Sequence, residues 1–218
     1  VPKSTNLYTP FTSDGKWDLF TVDKTYVRHS GSAVLEIERL VITSSSRLRV
    51  QSGSLKVKSS PVISDSSRVT VESGEWEVVG DLKLHPSSTY SVSKHIRVSN
   101  DVVLLGSLTH SSGLILAKRV LLESGARVTL QQQPVIETLL HVKSGAVLTQ
   151  SSGGMTAETL TIDGTVDVQN AGVVTAKGSA SVQGKLTLDG KCNVGKDMTI
   201  TGLVTHQQTA DASRGVRL

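Results

Sequence analysis

The sequence predicts an all-β protein: a single-stranded parallel β-solenoid (β-helix) with about 20 residues and three short strands per coil. Segments of the chain repeat at a nearly constant offset along the sequence. Within each repeat, apolar and polar residues alternate with a period of two, which is typical of a strand with one buried face. No ten-residue segment has the spacing of an amphipathic helix. These observations favour a solenoid over a fold with helices between its strands.

The repeat is visible in ungapped alignments of the chain with itself. Residues 46–57 align with 67–78 at an offset of 21, and residues 123–130 align with 143–150 at an offset of 20. A further set of segments shares one frame: 102–110, 160–168, 180–188 and 198–206. We therefore expect each strand to pair with the equivalent strand of the next coil, about 4.8 Å away.

The stretch TLTIDGTVDVQN illustrates the predicted packing. Leu160 and Ile162 point inward on one strand. Val166 and Val168 point inward on the next strand, and Gly164 forms the corner between the two. The expected stacks are Leu160 with Ala180 and Met198, and Ile162 with Val182 and Ile200. For two earlier coils the expected inward segments are Val120–Leu122, Val128–Leu130 and Val135, then Leu140–Val142, Val147–Thr149 and Met155.

Six glycines recur in the same frame at nearly even spacing along the chain. They are Gly106, Gly125, Gly145, Gly164, Gly184 and Gly202. We expect them to form corners that need either a positive φ or a close approach of two backbones. On the outer surface, the alignments place Lys56 beside Glu77 and Glu123 beside Lys143, as cross-strand ion pairs.

The sequence divides into a segment 1–33 and a solenoid 34–218. The first segment does not follow the repeat, and it holds five of the seven aromatic residues: Tyr8, Phe11, Trp17, Phe20 and Tyr26. We expect an aromatic-rich N-terminal cap, with a separate ligand-binding subdomain or a junction to a preceding domain as alternatives. The repeat frame still runs at MTITGLVTH, so we expect the solenoid to continue further or to dock at its C-terminal end.

The composition argues against several functional classes. The formal net charge of +4 is spread evenly along the chain, which argues against a nucleic-acid-binding face. No apolar run is long enough for a membrane helix, and no leading signal peptide is visible. The single cysteine, Cys192, excludes an intramolecular disulfide; a buried packing thiol is the main interpretation, with a reactive or intermolecular thiol as the alternative.

The acidic residues do not form an obvious catalytic group. Asp163 and Asp167 are close in sequence, but one belongs to a corner and the other to a strand. Asp189 and Asp197 lie one coil further and could stack near them. Glycosidases need paired carboxylates on one face, so we interpret these acids as solvated surface groups. The chain is predicted to have no catalytic, cofactor-binding or metal-binding residue, and not to be an enzyme.

The histidines also favour a structural interpretation. They are His29, His85, His95, His110, His141 and His206, and none has the spacing of metal ligands. His110 and His206 occupy the frame position of Val168, which predicts buried or corner histidines.

Two surface features are candidates for binding. The first is the only dense basic cluster, formed by Arg47, Arg49, Lys56 and Lys58. It could bind a polyanion, but the glutamates of the next coil, Glu72, Glu75 and Glu77, should cancel much of its field. The second is an ice-binding threonine face, suggested by Thr161, Thr199 and Thr201. We expect no continuous Thr-x-Thr ladder along one face.

The frame apolar–x–apolar–x–Gly–x–apolar–x–apolar, over residues 34–218, resembles the solenoid regions of large secreted and cell-surface proteins. These include filamentous-haemagglutinin-like bacterial adhesins and β-helical repeat proteins of protists and animals. The resemblance implies a non-enzymatic extracellular or cell-surface rod that acts as a spacer, an adhesive or a fibre subunit.

The same interpretation sets the expected partners. We expect self-association or end-to-end contact with neighbouring domains, a polysaccharide or surface glycan as a further candidate, no cofactor, no nucleic acid and no membrane insertion. The alternative function is a carbohydrate-binding or carbohydrate-cleaving β-helix, in which acids would stack along one face beside a groove.

Overall fold

The computed structural model describes residues 9–11, 16–32, 34–43, 45–64, 66–110, 115–132 and 134–206. Over these residues it contains 26 strands and no helix. Every strand pairing between them is parallel. The predicted fold class, an all-β parallel solenoid with the expected coil length, is confirmed.

The strands are short, as the period-two segments of the sequence predict. The first nine are β1 (Thr9–Phe11), β2 (Lys16–Asp23), β3 (Tyr26–His29), β4 (Leu35–Thr43), β5 (Arg47–Val50), β6 (Leu55–Val57), β7 (Val62–Ile63), β8 (Arg68–Val71) and β9 (Trp76–Val78). The next nine are β10 (Leu82–Leu84), β11 (Thr89–Val92), β12 (Ile96–Leu104), β13 (Ser107–His110), β14 (Ile115–Leu122), β15 (Arg127–Leu130), β16 (Val135–Val142), β17 (Val147–Gln150) and β18 (Gly154–Ala157). The last eight are β19 (Thr159–Ile162), β20 (Thr165–Val168), β21 (Val173–Ala176), β22 (Ala180–Val182), β23 (Lys185–Leu188), β24 (Lys191–Val194), β25 (Met198–Ile200) and β26 (Leu203–His206).

The solenoid has three faces. Face 1 is one sheet with the strand order β1-β3-β5-β8-β11-β13-β15-β17-β20-β23-β26. Faces 2 and 3 belong to a second sheet, because β4, β12, β14 and β16 run through the corner between them. Face 2 contains the first halves of these long strands with β6, β9, β18, β21 and β24, and face 3 contains their second halves with β7, β10, β19, β22 and β25.

Equivalent side chains stack from coil to coil, as predicted. Leu160 pairs with Ala180 and Ala180 pairs with Met198, while Ile162, Val182 and Ile200 form the neighbouring stack. The first of these stacks continues through Leu140, Val120, Val102 and Leu82. Each fully buried aliphatic side chain contributes about 1.5–3 kcal/mol to the stability of the fold. The stability of the core is therefore the sum of the contributions of such columns.

Three positions in two strands were wrongly predicted to point inward. In β17 the buried side chains are Leu148 and Gln150, whereas Val147 and Thr149 point outward. The apolar–polar alternation of the sequence predicts the wrong inward face here because Gln150 is buried. Its Nε2 donates to the Gln132 carbonyl at 3.0 Å and also to the Ser152 carbonyl. In β16, Val135 pairs with the outward Leu116, and the buried residue is the next one along the chain.

A column of small residues forms the corner before face 1. The residues preceding its strands, from β3 to β26, are Thr25, Ser46, Ser67, Ser88, Gly106, Ala126, Ala146, Gly164, Gly184 and Gly202. A Cβ on Gly164 would lie 2.4 Å from the Lys143 carbonyl oxygen, so this position needs glycine for close approach.

The glycines of the predicted frame therefore have two roles. Gly125 and Gly145 are not in the corner column; they precede Ala126 and Ala146 in longer corners and have φ values of +85° and +80°. A Cβ on Gly125 would meet nothing within 4 Å, so its role is conformational. The repeat frame of the sequence does not distinguish these two roles, because the corners differ in length.

The outer ion pairs confirm the register. Lys56 Nζ lies 2.8 Å from Glu77 Oε1, and Lys143 Nζ lies 2.7 Å from Glu123 Oε1. All four side chains are partly exposed, so each pair contributes well under 1 kcal/mol and mainly favours one register.

The N-terminal strands are already part of the stacked architecture. β2 pairs with β4 and β3 pairs with β5, both in parallel. Trp17 and Phe20 pack against the core, with ring centroids 5.7 Å apart and an edge-to-face geometry. Tyr8 and the side chain of Phe11 lie outside the described residues. The aromatic-rich cap and the division at residue 33 stay predictions.

Candidate functional site

The four aspartates singled out in the sequence occupy four different positions of the coil. Asp163 lies in the corner before β20, where its Oδ2 is 2.8 Å from His141 Nε2. Asp167 points outward from face 1. Asp189 follows β23, and Asp197 precedes β25 on face 3. The possible stacking of these acids does not occur, because strand register places each of them in a different column.

Two histidines of face 1, His110 and His206, bind backbone carbonyls. His110 and His206 occupy the column of Val168 on face 1, as predicted, and His110 is fully buried. The Nε2 atom of His110 lies 2.6 Å from the Lys94 carbonyl oxygen, and that of His206 lies 2.9 Å from the Gly190 carbonyl oxygen. Both carbonyls belong to the corner that follows a face 1 strand in the preceding coil. These side chains therefore satisfy corner carbonyls.

The burial of His110 predicts a pH-dependent stability. Burial lowers the pKa of His110, and the bond to the Lys94 carbonyl only partly opposes this. The unfolded chain therefore binds the proton more readily, so this contribution is fully present above pH of about 6.5 and is lost as the pH falls below it. We expect His110→Gln to remove it, since Gln150 makes an equivalent bond two coils further along this column.

The measurement is urea unfolding, followed by circular dichroism, at pH 7.5, 6.5 and 5.5. The native protein should lose more unfolding free energy on acidification than His110→Gln does. His85→Gln, in a partly exposed corner, is the control and should follow the native profile. Parallel pH profiles for the native protein and His110→Gln would contradict the assignment.

Cys192 is a buried thiol. It is 2% exposed on β24, where it stacks on Val174 of the preceding coil. Burial raises the pKa of the Cys192 thiol, which disfavours the reactive thiolate. The predicted burial of Cys192 is confirmed.

The basic cluster predicted within residues 47–58 is divided between two faces. Arg47 and Arg49 point outward from β5 on face 1, whereas Lys56 and Lys58 lie at face 2. Both lysines are neutralised by glutamates of neighbouring coils, and the hydrogen bond to Glu36 raises the pKa of Lys58 to about 12. The ion pairs are Lys56–Glu77 at 2.8 Å, Lys58–Glu36, and Lys58–Glu38 at 3.0 Å. The expected single cluster is therefore wrong.

A different basic cluster forms on face 1, across three coils. Arg47 is the direct cross-strand neighbour of Arg68, and Arg28 is that of Arg49. Arg49 Nε donates to Glu72 Oε1 at 2.8 Å, whereas Arg47 and Arg68 are exposed and form no ion pair with any described residue. The cluster borders a surface depression of about 440 Å³. We call Arg28, Arg47, Arg49 and Arg68 the arginine cluster.

The arginine cluster continues into two outward columns along face 1. The first, the mixed column, runs Arg47, Arg68, Thr89, Ser107, Arg127, Val147, Thr165 and Lys185. The second, the hydroxyl column, runs Thr70, Ser91, Thr109, Thr129 and Thr149. The hydroxyl column is a single line of hydroxyls, not a Thr-x-Thr ladder, because its neighbours in the mixed column include Arg68, Arg127 and Val147. Thr161 and Thr199 lie elsewhere, on face 3.

In comparisons with known proteins, no family model, curated protein or solved structure matches the chain. The resemblance to adhesin-like solenoids thus rests on the repeat pattern, and the site must be interpreted from its own side chains.

The described residues contain no group of three or more His, Cys, Asp or Glu side chains arranged to hold a metal ion. They also contain no helix with the length and apolar character needed to cross a membrane.

The sequence contained a signal for the arginine cluster that a search along the chain overlooked. Arg47 and Arg68 are separated by the same offset that aligns residues 46–57 with 67–78, and so are Arg28 and Arg49. Scanning for charge across coils, rather than within a window, would have found both pairs.

Proposed function

We propose that the chain is a non-enzymatic rigid rod, acting as a spacer or fibre subunit of an extracellular or cell-surface protein. The observation that carries the proposal is the unbroken parallel pairing of face 1 from β3 to β26. Ten strands separated by about 4.8 Å give a rod about 43 Å long.

Stiffness is the physical property that supports this role. Each coil bonds to the coils on both sides of it, and the aliphatic columns cross every coil boundary. Bending the rod would open hydrogen bonds and core contacts on one face together. A stack of this kind keeps its two ends at a defined separation.

End-to-end association is the mode of contact that we propose for the rod. Met198 and Ile200 are the last described residues of the two inward stacks on face 3; Met198 is partly exposed and Ile200 is 43% exposed. Apolar side chains next to strand edges favour addition of a further strand or coil. A second copy or a neighbouring domain would cover them. The resemblance to adhesin-like solenoids supports the same arrangement.

The alternative, a carbohydrate-cleaving β-helix, has less support. Its two carboxyl groups would need to lie within about 5–10 Å of each other on one face. The aspartates at 163, 167, 189 and 197 occupy separate columns. The carbohydrate-binding alternative has support from face 1, where the arginine cluster adjoins the hydroxyl column.

The rod proposal predicts a narrow distance distribution along the mixed column. Nitroxide labels at Arg68→Cys and Lys185→Cys, in a Cys192→Val background, should lie about 29 Å apart, since six strand intervals separate them. Labels at Arg47→Cys and Lys185→Cys should give a distance longer by about one interval, or 5 Å. Double electron–electron resonance measures both.

The matched pairs make the experiment decisive. A single narrow peak in each sample, with the expected difference between them, supports the rod. A broad distribution, or two peaks in samples whose circular dichroism is native, would overturn it. The same samples in urea provide the broad reference distribution.

A further inference from the structure

Two arginines stack directly on each other at an exposed position. Arg47 and Arg68 are cross-strand neighbours, so their Cα atoms are separated by about one strand spacing of 4.8 Å. Like charges at such positions repel each other and destabilise the sheet. Neither guanidinium has a carboxylate partner among the described residues. An oxyanion between them would turn this repulsion into two charge-assisted hydrogen bonds.

The surface beside the pair extends along the rod as two regular columns of outward side chains. The hydroxyl column begins at Thr70, next to Arg68 on β8, and presents a hydroxyl on each of five consecutive coils. In the mixed column, Arg127 follows Arg68 after three strand intervals, about 14 Å along the rod. Arg127 is exposed and has no ion pair within the described chain.

The charge on this surface has one sign. Between β5 and β17 neither outward column of face 1 contains an acidic residue. Glu72 lies at the border and is held by Arg49, and Asp167 comes one strand beyond the hydroxyl column. The even charge distribution of the sequence thus hides a local excess of positive charge.

We propose that face 1 binds an anionic polysaccharide lying along the rod. Its sulfate or carboxylate groups contact Arg47, Arg68 and Arg127, and its hydroxyl groups contact the hydroxyl column. Tyr26 is the only aromatic residue in the lining of the depression at the arginine cluster. Single-stranded nucleic acids depend on aromatic side chains for base stacking, so the surface favours a sugar chain over a nucleic acid. This inference goes beyond the rod function and does not depend on it.

The test uses dextran sulfate as the probe and uncharged dextran as its partner. By isothermal titration calorimetry in 50 mM salt, the native protein should bind dextran sulfate and should not bind dextran. Arg47→Gln/Arg68→Gln should lower the affinity for dextran sulfate at least tenfold. Lys83→Gln/Lys118→Gln removes the same charge from exposed positions off face 1, and it should lower the affinity less than threefold.

The hydroxyl column gives a second, independent readout. Thr109→Val/Thr129→Val keeps the β-branched shape and the charge, and it should weaken dextran sulfate binding about threefold or more while leaving binding of inorganic polyphosphate unchanged. In thermal unfolding, dextran sulfate should raise the Tm of the native protein and not that of Arg47→Gln/Arg68→Gln. Circular dichroism of every variant should be native.

The outcomes separate the possible ligands. Equal losses for the arginine and lysine variants would overturn the site, since binding would then follow net charge alone. Single-stranded DNA or polyphosphate binding as tightly as dextran sulfate, with no effect of the threonine variant, would overturn the assignment to a polysaccharide. Binding of uncharged dextran at the same strength would overturn the role of the arginines.

Discussion

Replacing Gly184 with alanine is expected to destabilise the C-terminal coils by about 3 kcal/mol or more. Gly184 forms the two-residue corner between β22 and β23, and its N–H donates to the Ile162 carbonyl at 2.9 Å. A Cβ there would lie 2.1 Å from the Gly164 carbonyl oxygen and 2.5 Å from that of Asp163. Both are backbone atoms of the coil below. The corner must therefore move, and the stacking hydrogen bonds around it are lost.

Gly125→Ala is the matched control for this substitution. Gly125 has a positive φ of +85°, but a Cβ there would contact nothing within 4 Å. We expect only the cost of a left-handed alanine, about 1–2 kcal/mol. Urea unfolding by circular dichroism, with limited proteolysis to locate the opened coils, measures both variants. Equal stabilities for the two would show that the corner column is not tightly packed.

The second large effect is expected at Trp76. This side chain is fully buried on face 2, between Leu55 and Ile96 in its column, and its ring stacks on Tyr90 with centroids 6.2 Å apart. Trp76→Ala should lower the free energy of unfolding by about 3–5 kcal/mol, because it leaves a cavity among aliphatic side chains that cannot close. Loss of the ring contact adds to this.

Trp76→Phe is the control for the size of the side chain. The indole Nε1 has no hydrogen-bond acceptor among the described residues, so phenylalanine keeps a ring against Tyr90 and removes a buried unpaired N–H. We expect a loss of about 1 kcal/mol, well below that of the alanine variant. Urea unfolding followed by circular dichroism distinguishes the two. An alanine variant as stable as the phenylalanine variant would contradict tight packing at this position.

Much of the fold could be predicted, whereas the candidate site could not. The stacks that begin at Leu160 and Ile162, and the Lys56–Glu77 pair, follow from the repeat because equivalent positions recur at nearly constant offsets. The prediction of inward positions was wrong at Gln150, where a buried amide replaces an apolar residue. Single-sequence alternation cannot distinguish this amide from a solvent-facing one, since only the position of the corner carbonyls makes its burial favourable.

The prediction of the basic cluster failed for a different reason. Charges in a solenoid act between coils, so neighbours in space are a whole coil apart in sequence. A search within residues 47–58 therefore joined lysines and arginines that the structure separates onto faces 2 and 1. It also missed Arg28 and Arg68, which lie one coil away on either side.

The amino-acid order alone is enough to predict a parallel solenoid of small aliphatic columns, because period-two alternation repeated at regular intervals leaves few other ways to bury the apolar side chains. The outward residues that share a column, in contrast, are known only from the folded chain. The number of residues in a coil varies. Arg47 to Arg68 and Thr89 to Ser107 each span one coil, but the second interval contains fewer residues, and the corners absorb the difference. Strand pairing, rather than a fixed repeat length, therefore aligned the arginines and hydroxyls of face 1.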